Sequence, residues 1–320
     1  MQKRLKEAAR AVINNCLCVK PSDSVLVITD TKLQNIGQVF FEEAVEYGGE
    51  VSMVVITPRN SHAEEPPASL AELMKQYDVL IIPTYRSMSH TDARRYACEL
   101  GARCATLPGI LPETMMRTLV ADYDRIAALS EKLAEHLTRA KKARVTTAAG
   151  TDIEFSLEGR MGYADTGLLR TPGRFSNLPA GEAYTAPFEG TANGVIVVDG
   201  TIGDTGVLSK DDRITITVKD GYATEITGGK AAQHLISLVE PHGKEALNIA
   251  ELGIGTNHEA KLIGNILEDE KVLSTVHIAL GDNKSMGGNI AVNSHLDGVL
   301  LCPMVYLDDE PIIKDGKITV

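Results

Sequence analysis

No tryptophan occurs among the 320 residues, and phenylalanine and tyrosine bring the aromatic share to only 4%. The cores must therefore be packed from Ile, Leu, Val and Ala, for which a hydrophobic fraction of 43% is ample. Cysteine is sparse and odd in number, at positions 16, 18, 98, 104 and 302. Cys16 and Cys18 form C-x-C rather than C-x-x-C, so no zinc framework is spelled out, and reduced thiols in a cytosolic protein are the expectation. No apolar run reaches the length that crosses a bilayer, and the charged, amphipathic opening MQKRLKEAARAVINNCL lacks the uninterrupted apolar stretch of a signal peptide. An excess of basic residues is also missing. The formal net charge of −11 argues against a nucleic-acid or anionic-membrane surface. These absences lead to the expectation of a soluble, cytoplasmic protein without nucleic-acid or membrane partners.

Several chemical signatures are missing as well. No G-x-G-x-x-G follows the first apolar run, where TDTKLQNIG stands instead, and no G-x-x-x-x-G-K-[ST] occurs, which removes the usual phosphate cradles. His258-Glu259 has no second histidine to complete H-E-x-x-H, and no G-x-S-x-G elbow is present. Cys98 and Cys104 have no evident histidine partner and read as packing residues.

What is present divides into two textures. Residues 3–18 carry a helical stripe of Leu5, Ala9, Val12, Ile13 and Cys16. Compact apolar runs follow at 24–30 (SVLVITD), 51–57, 78–84 and 103–109, the pattern of strands buried on both faces. They alternate with helical spacing at 36–49, 69–77 and 91–101; the first of these helices closes on Gly48–Gly49 as an expected C-cap, and the last opens on a Thr or Asp cap. Strand–helix alternation with short links predicts a Rossmann-like parallel sheet. A long helix at 121–142 starts acidic and ends basic, matching its own dipole, so Arg139, Lys141, Lys142 and Arg144 read as a solvated helix end. Beyond it strands outnumber helices: hairpins at 143–159, 212–227 and 307–320, a strand at 194–204, and one helix at 228–241. The fold class is thus α/β plus α+β, with a parallel-sheet domain over 1–142 and a mostly antiparallel domain over 143–320.

The chemistry gathers between Glu251 and Asp297, a stretch with three histidines (His258, His277 and His295) and several carboxylates among glycine loops. His295 and Asp297 are two apart at the start of an apolar run, so on a strand both leave the same face and can serve one ion or two neighbouring ions. In TVHIALG, Val276, Ile278 and Leu280 point one way and His277 and Ala279 the other. Glu182 lies in the Pro- and Gly-rich turn FSNLPAGEAYTAP, where a carboxylate can be aimed at a site or simply face solvent.

NLPAGEAYTAP, ELGIGTN, EDEKVLSTVHIALG and SHLDGV, in that order over roughly 175–300, resemble the M29 metalloaminopeptidases of the thermophilic leucyl aminopeptidase or aminopeptidase T type. The resemblance implies a catalytic domain holding two divalent ions (zinc, cobalt or manganese) on Glu182, Glu251, Glu270, His277, His295 and Asp297. It implies release of N-terminal residues from small peptides by a metal-bridged hydroxide, with Glu251 or Glu270 passing a proton to the leaving amine, and a homodimer. Lys284 stands where the family has a tyrosine that stabilises the tetrahedral intermediate, and a lysine there could supply charge to an oxyanion. The same superfamily resembles ring-opening dioxygenases of 2,5-dihydroxypyridine, which use a single ferrous ion, and two histidines with a carboxylate suit that metal equally. A non-catalytic binding protein on the same fold is the third reading.

Overall fold

The computed structural model describes residues 1–320. Contacts divide the chain into two compact units, Met1–Arg125 with Thr166–Ala180, and Ile126–Asp165 with Gly181–Val320. The expected single break after residue 142 gives way in this division to a crossing at Arg125 and a return for Thr166–Ala180. No helix is long and apolar enough to cross a membrane.

In the first unit the apolar runs form a five-stranded parallel sheet in the order Glu50–Ile56, Ser24–Asp30, Val79–Ile82, Arg103–Thr106, Phe175–Asn177. Its central strands carry consecutive branched residues because both faces are covered: Val25 through Ile28 and Val79 through Ile82 are fully buried. The helix Gln2–Ala11 runs on as a π-turn, Val12–Cys16, and buries Ala9, Val12, Ile13 and Cys16. The helix Asp92–Glu99 starts where Thr91 accepts the Arg94 amide at 3.3 Å. The helix Gln34–Val45 ends before Gly48–Gly49, so the glycine pair is not its left-handed cap. Gly49 is needed for a close approach instead, since a Cβ there would lie 2.5 Å from the Pro21 carbonyl oxygen.

The second unit holds two antiparallel sheets, so the expected mixed class, a parallel-sheet region followed by an antiparallel α+β region, is what the chain adopts. The larger, eight-stranded sheet includes the hairpin of Lys142–Thr146 and Asp152–Ser156, where Lys142 pairs with Glu154 and Arg144 with Asp152 at 2.7 Å each on an exposed face. Two of the four basic residues, Lys142 and Arg144, thus lie on a strand and pair across it, and Arg139, the last residue of its helix, lies 3.4 Å from Glu135. The smaller sheet has the order His295–Leu300, Val276–Gly281, Ile249–Gly255, Glu182–Thr185, Tyr163–Asp165. Its alternate residues Leu252, Ile254, Val276, Ile278, Leu280 and Leu300 join Ile153, Phe155, Ile196 and Ile216 of the larger sheet in one core. That core fixes the register of the smaller sheet, because a slip of one residue would turn every buried side chain to the other face.

Candidate functional site

The remaining face of the five-stranded sheet carries the polar residues. Cross-strand partners on an antiparallel sheet share a face. Gly253 stands opposite His277, Ala279 opposite Asp297, Gly281 opposite His295, and Glu182 is flanked by Gly255 and Asp165. Glu251 joins them opposite Ala279, past a bulge that follows Ile249. The glycines and alanine leave space for their long neighbours. A Cβ on Gly253 would sit 1.9 Å from Nε2 of His277.

Two donor sets form on this face and share Glu251. In the outer set, His295 Nε2 lies 3.1 Å from Glu251 Oε2 and 3.3 Å from Asp297 Oδ1. In the inner set, His277 Nε2 lies 3.3 Å from Glu251 Oε1 and 3.2 Å from Glu182 Oε2. Within each set one ligand atom per residue falls within 4.8 Å of the others, close enough for one ion. The side chain of His295 is 30% exposed whereas that of His277 is 1% exposed, so the outer set opens to solvent and the inner one is closed. His295 Nδ1 donates to the Asp282 carbonyl at 2.8 Å, which leaves Nε2 free to act as a ligand.

Further inward lies a residue that the sequence reading passed over. Lys271 Nζ is 2.6 Å from Glu182 Oε1, 2.7 Å from Glu270 Oε1 and 3.7 Å from Asp165 Oδ2, with 3% of its side chain exposed. The acidic run that precedes it is divided by geometry. Glu268 accepts the Lys261 amide, Asp269 accepts the amides of Ile263 and Gly264, and Glu270, at the end of the short helix Ile266–Asp269, turns to the site. Backbone bonds between Asn257 and both Lys271 and Leu273 hold the loop in place. Tyr184 and Tyr163, also on this face, stack with ring centroids 5.5 Å apart. The signals that could have found these residues were Lys271 next to Glu270 and the alternation of Tyr163-Ala164-Asp165 and Glu182-Ala183-Tyr184.

The electrostatics follow from burial and contact. Burial alone would raise the Glu182 carboxyl, but Lys271 and His277 outweigh it and hold it at about 2. Burial pushes Glu270 up to about 8, with the charges of Asp297 and Glu182 adding to the rise against the pull of Lys271. Burial disfavours charge on both imidazoles, yet their carboxylate neighbours raise both well above the ordinary histidine value. Burial, with the charges of Glu182, Asp165 and Glu251, raises Tyr184 and keeps its hydroxyl protonated.

Of the expected site residues, Glu182, Glu251, His277, His295 and Asp297 converge in the two sets, and Glu270 adjoins them through Lys271. Lys284 does not join them. It stands exposed on the short turn Lys284–Met286. Glu182 opens a strand instead of sitting in a turn.

The profile of a family described as NicX: 2,5-dihydroxypyridine 5,6-dioxygenase matches residues 4–320. The chain belongs to this family. A 2,5-dihydroxypyridine 5,6-dioxygenase of Pseudomonas putida is 27% identical over 220 residues, which are 65% of this chain and span only 62% of that protein's length. Among solved structures, 2,5-dihydroxypyridine dioxygenase from Pseudomonas putida KT2440 gives a TM-score of 0.86 at 20% identity, covering 100% of this chain and 98% of that one. Wild-type AmpT from Thermus thermophilus gives 0.71 at 16% identity, covering 99% of each. At these identities the structural likeness shows a shared fold, and the aminopeptidase resemblance reduces to that.

The NicX membership overturns the expected hydrolase. A metallo-aminopeptidase or metalloprotease acting in proteolysis is corrected to a member of an oxygenase family, and the pair of zinc, cobalt or manganese ions loses its support. The error has a physical origin. Carboxylates and imidazoles that suit zinc-type ions also suit iron, so the residue types could not separate the two reactions.

Proposed function

We propose that this chain is a ferrous-iron-dependent dioxygenase that opens a dihydroxylated N-heteroaromatic ring of the 2,5-dihydroxypyridine type. The observation that carries the proposal is the NicX match over nearly the whole chain, and the solvent-open donor set Glu251–His295–Asp297 supports it. The outer set offers two carboxylates and one imidazole, the reverse of the two-histidine, one-carboxylate proportion; both donor types suit ferrous iron, and the tautomer of the imidazole is fixed by the Asp282 carbonyl. Glu251, His295 and Asp297 would hold it, with His277 adjoining through Glu251. Iron supplies the redox chemistry that lets dioxygen react with an electron-rich ring.

The chain's own residues do the rest. The stacked rings of Tyr163 and Tyr184 offer an aromatic surface on the same sheet face, suited to a flat heteroaromatic ring. The protonated Tyr184 hydroxyl can donate a hydrogen bond to a substrate oxygen. Arg160 bonds to Glu189 and to the Gly287 carbonyl, and Glu189 accepts from the Asn283 side chain at 2.9 Å and the Asn289 amide at 2.7 Å. This network holds the loop whose Asp282 carbonyl orients His295.

The test is oxygen uptake by protein reconstituted anaerobically with Fe(II) and then given 2,5-dihydroxypyridine and air. Uptake in step with loss of the substrate's ultraviolet absorbance is expected. Iron-loaded protein that consumes no oxygen with this ring would sink the proposal.

A further inference from the structure

The residues expected to bind a second ion already have a cation. Glu182 gives Oε1 to the Lys271 ammonium at 2.6 Å and turns Oε2 to His277, while Glu270 gives Oε1 to the same ammonium at 2.7 Å. Asp165 adds a third carboxylate at 3.7 Å. Lys271 is 3% exposed, and a backbone bond from the Asn257 amide to its carbonyl holds its loop in place.

We propose that Lys271 stands in for a second metal ion: by engaging Glu182 and Glu270 it limits this centre to one ion, held by the outer set Glu251–His295–Asp297. The inference rests on the reading of the outer set as a metal site.

The competition is direct. A divalent ion in the inner set would use Glu182 Oε2, which has no hydrogen-bond partner, but it would stand close to the ammonium held on Oε1 of the same carboxylate, in a dry environment where repulsion is poorly screened. The outer set has no such competitor. Its carboxylates, Glu251 and Asp297, form ion pairs with imidazoles, whose neutral form is itself a metal ligand, whereas an ammonium is none. The consequence for chemistry is clear-cut. A hydroxide bridging two ions requires two ions, whereas one open ion leaves coordination positions for small ligands. The lysine thereby excludes the two-ion route that the other donors would allow.

The test counts ions and does not depend on turnover. The full chain is stripped of metal, equilibrated with Mn(II), desalted, and read by elemental analysis and electron paramagnetic resonance. Wild type is expected to hold one ion per chain, with the resolved hyperfine pattern of an isolated Mn(II). Lys271→Ala and Lys271→Gln are expected to hold two, with the broadened spectrum of an exchange-coupled pair. Two coupled ions in wild type overturn the proposal, and so does a single ion in either variant shown by circular dichroism to be folded. The wild-type count decides the matter if neither variant folds. No ion in wild type overturns the outer-set reading itself, which separates that failure from the failure of the lysine's role.

Discussion

The parallel sheet of the first unit and the smaller antiparallel sheet of the second each contain a central strand buried on both faces, but only one of these strands meets the same chemistry on each. Along Ser24–Asp30 the neighbours Val25, Leu26, Val27 and Ile28 face opposite ways into apolar surroundings. Along Val276–Gly281 every residue is also buried, yet Val276, Ile278 and Leu280 enter an apolar core while His277 and Ala279 line an ionic cluster. Burial alone therefore does not distinguish scaffold from site. The distinguishing mark is that small residues and ionisable ones share one face while branched ones occupy the other.

The sharpest way to break the comparison is on the ionic face. His295→Ala or Asp297→Ala should lower ring-opening activity by more than about 100-fold, exceeding the usual cost of losing a residue that merely orients a ligand. Iron content should fall while the far-ultraviolet circular dichroism stays unchanged; full activity with full iron in both variants would end the assignment. On the apolar face the effect should move from chemistry to stability. Ile278→Ala should cost about 2–5 kcal/mol of unfolding free energy while the remaining folded protein still binds iron, as read by denaturation and metal analysis. In the parallel sheet the alternation should vanish. Leu80→Ala and Ile81→Ala, adjacent and both fully buried, should each cost about 2–5 kcal/mol, and a near-zero effect at either would show that one face is not load-carrying. Smaller again is Thr91→Ala, which removes the acceptor for the Arg94 amide and should cost about 1 kcal/mol in the same denaturation assay, with activity unaffected.

The same contrast explains what could be read in advance. The strand Ser24–Asp30 was legible to the residue because a continuous apolar run has few alternatives. A cap at Thr91 or Asp92, which the structure gives to Thr91, and the shared face of His295 and Asp297 were legible because they are local. The strand Phe175–Asn177 was not, since it pairs with Cys104–Thr106 far back in the chain. Lys271 was not, since it lies 89 residues from Glu182, and only the sheet register together with the loop of Asn257 brings them into contact. The glycine pair 48–49 misled because glycine serves close approaches as well as helix caps. The reaction was not legible at all from the donors, because iron and zinc-type ions accept the same ligands; the family match weighs toward the oxygenase reading.

From Asp297 through His295, Glu251, His277, Glu182 and Lys271 to Glu270, acid and base follow one another in strict alternation, like a single file cut from an ionic crystal. In such a file the harm done by a vacancy depends on where it falls. Losing Asp297 or Glu270 at an end shortens the file and leaves its other contacts intact. Losing Glu251 or Lys271 from within leaves like groups on either side of the gap, two imidazoles in one case and two carboxyl groups in the other. The interior members are bound to one another's presence; at the ends only Glu270 can drift, because Asp297 also belongs to the outer donor set.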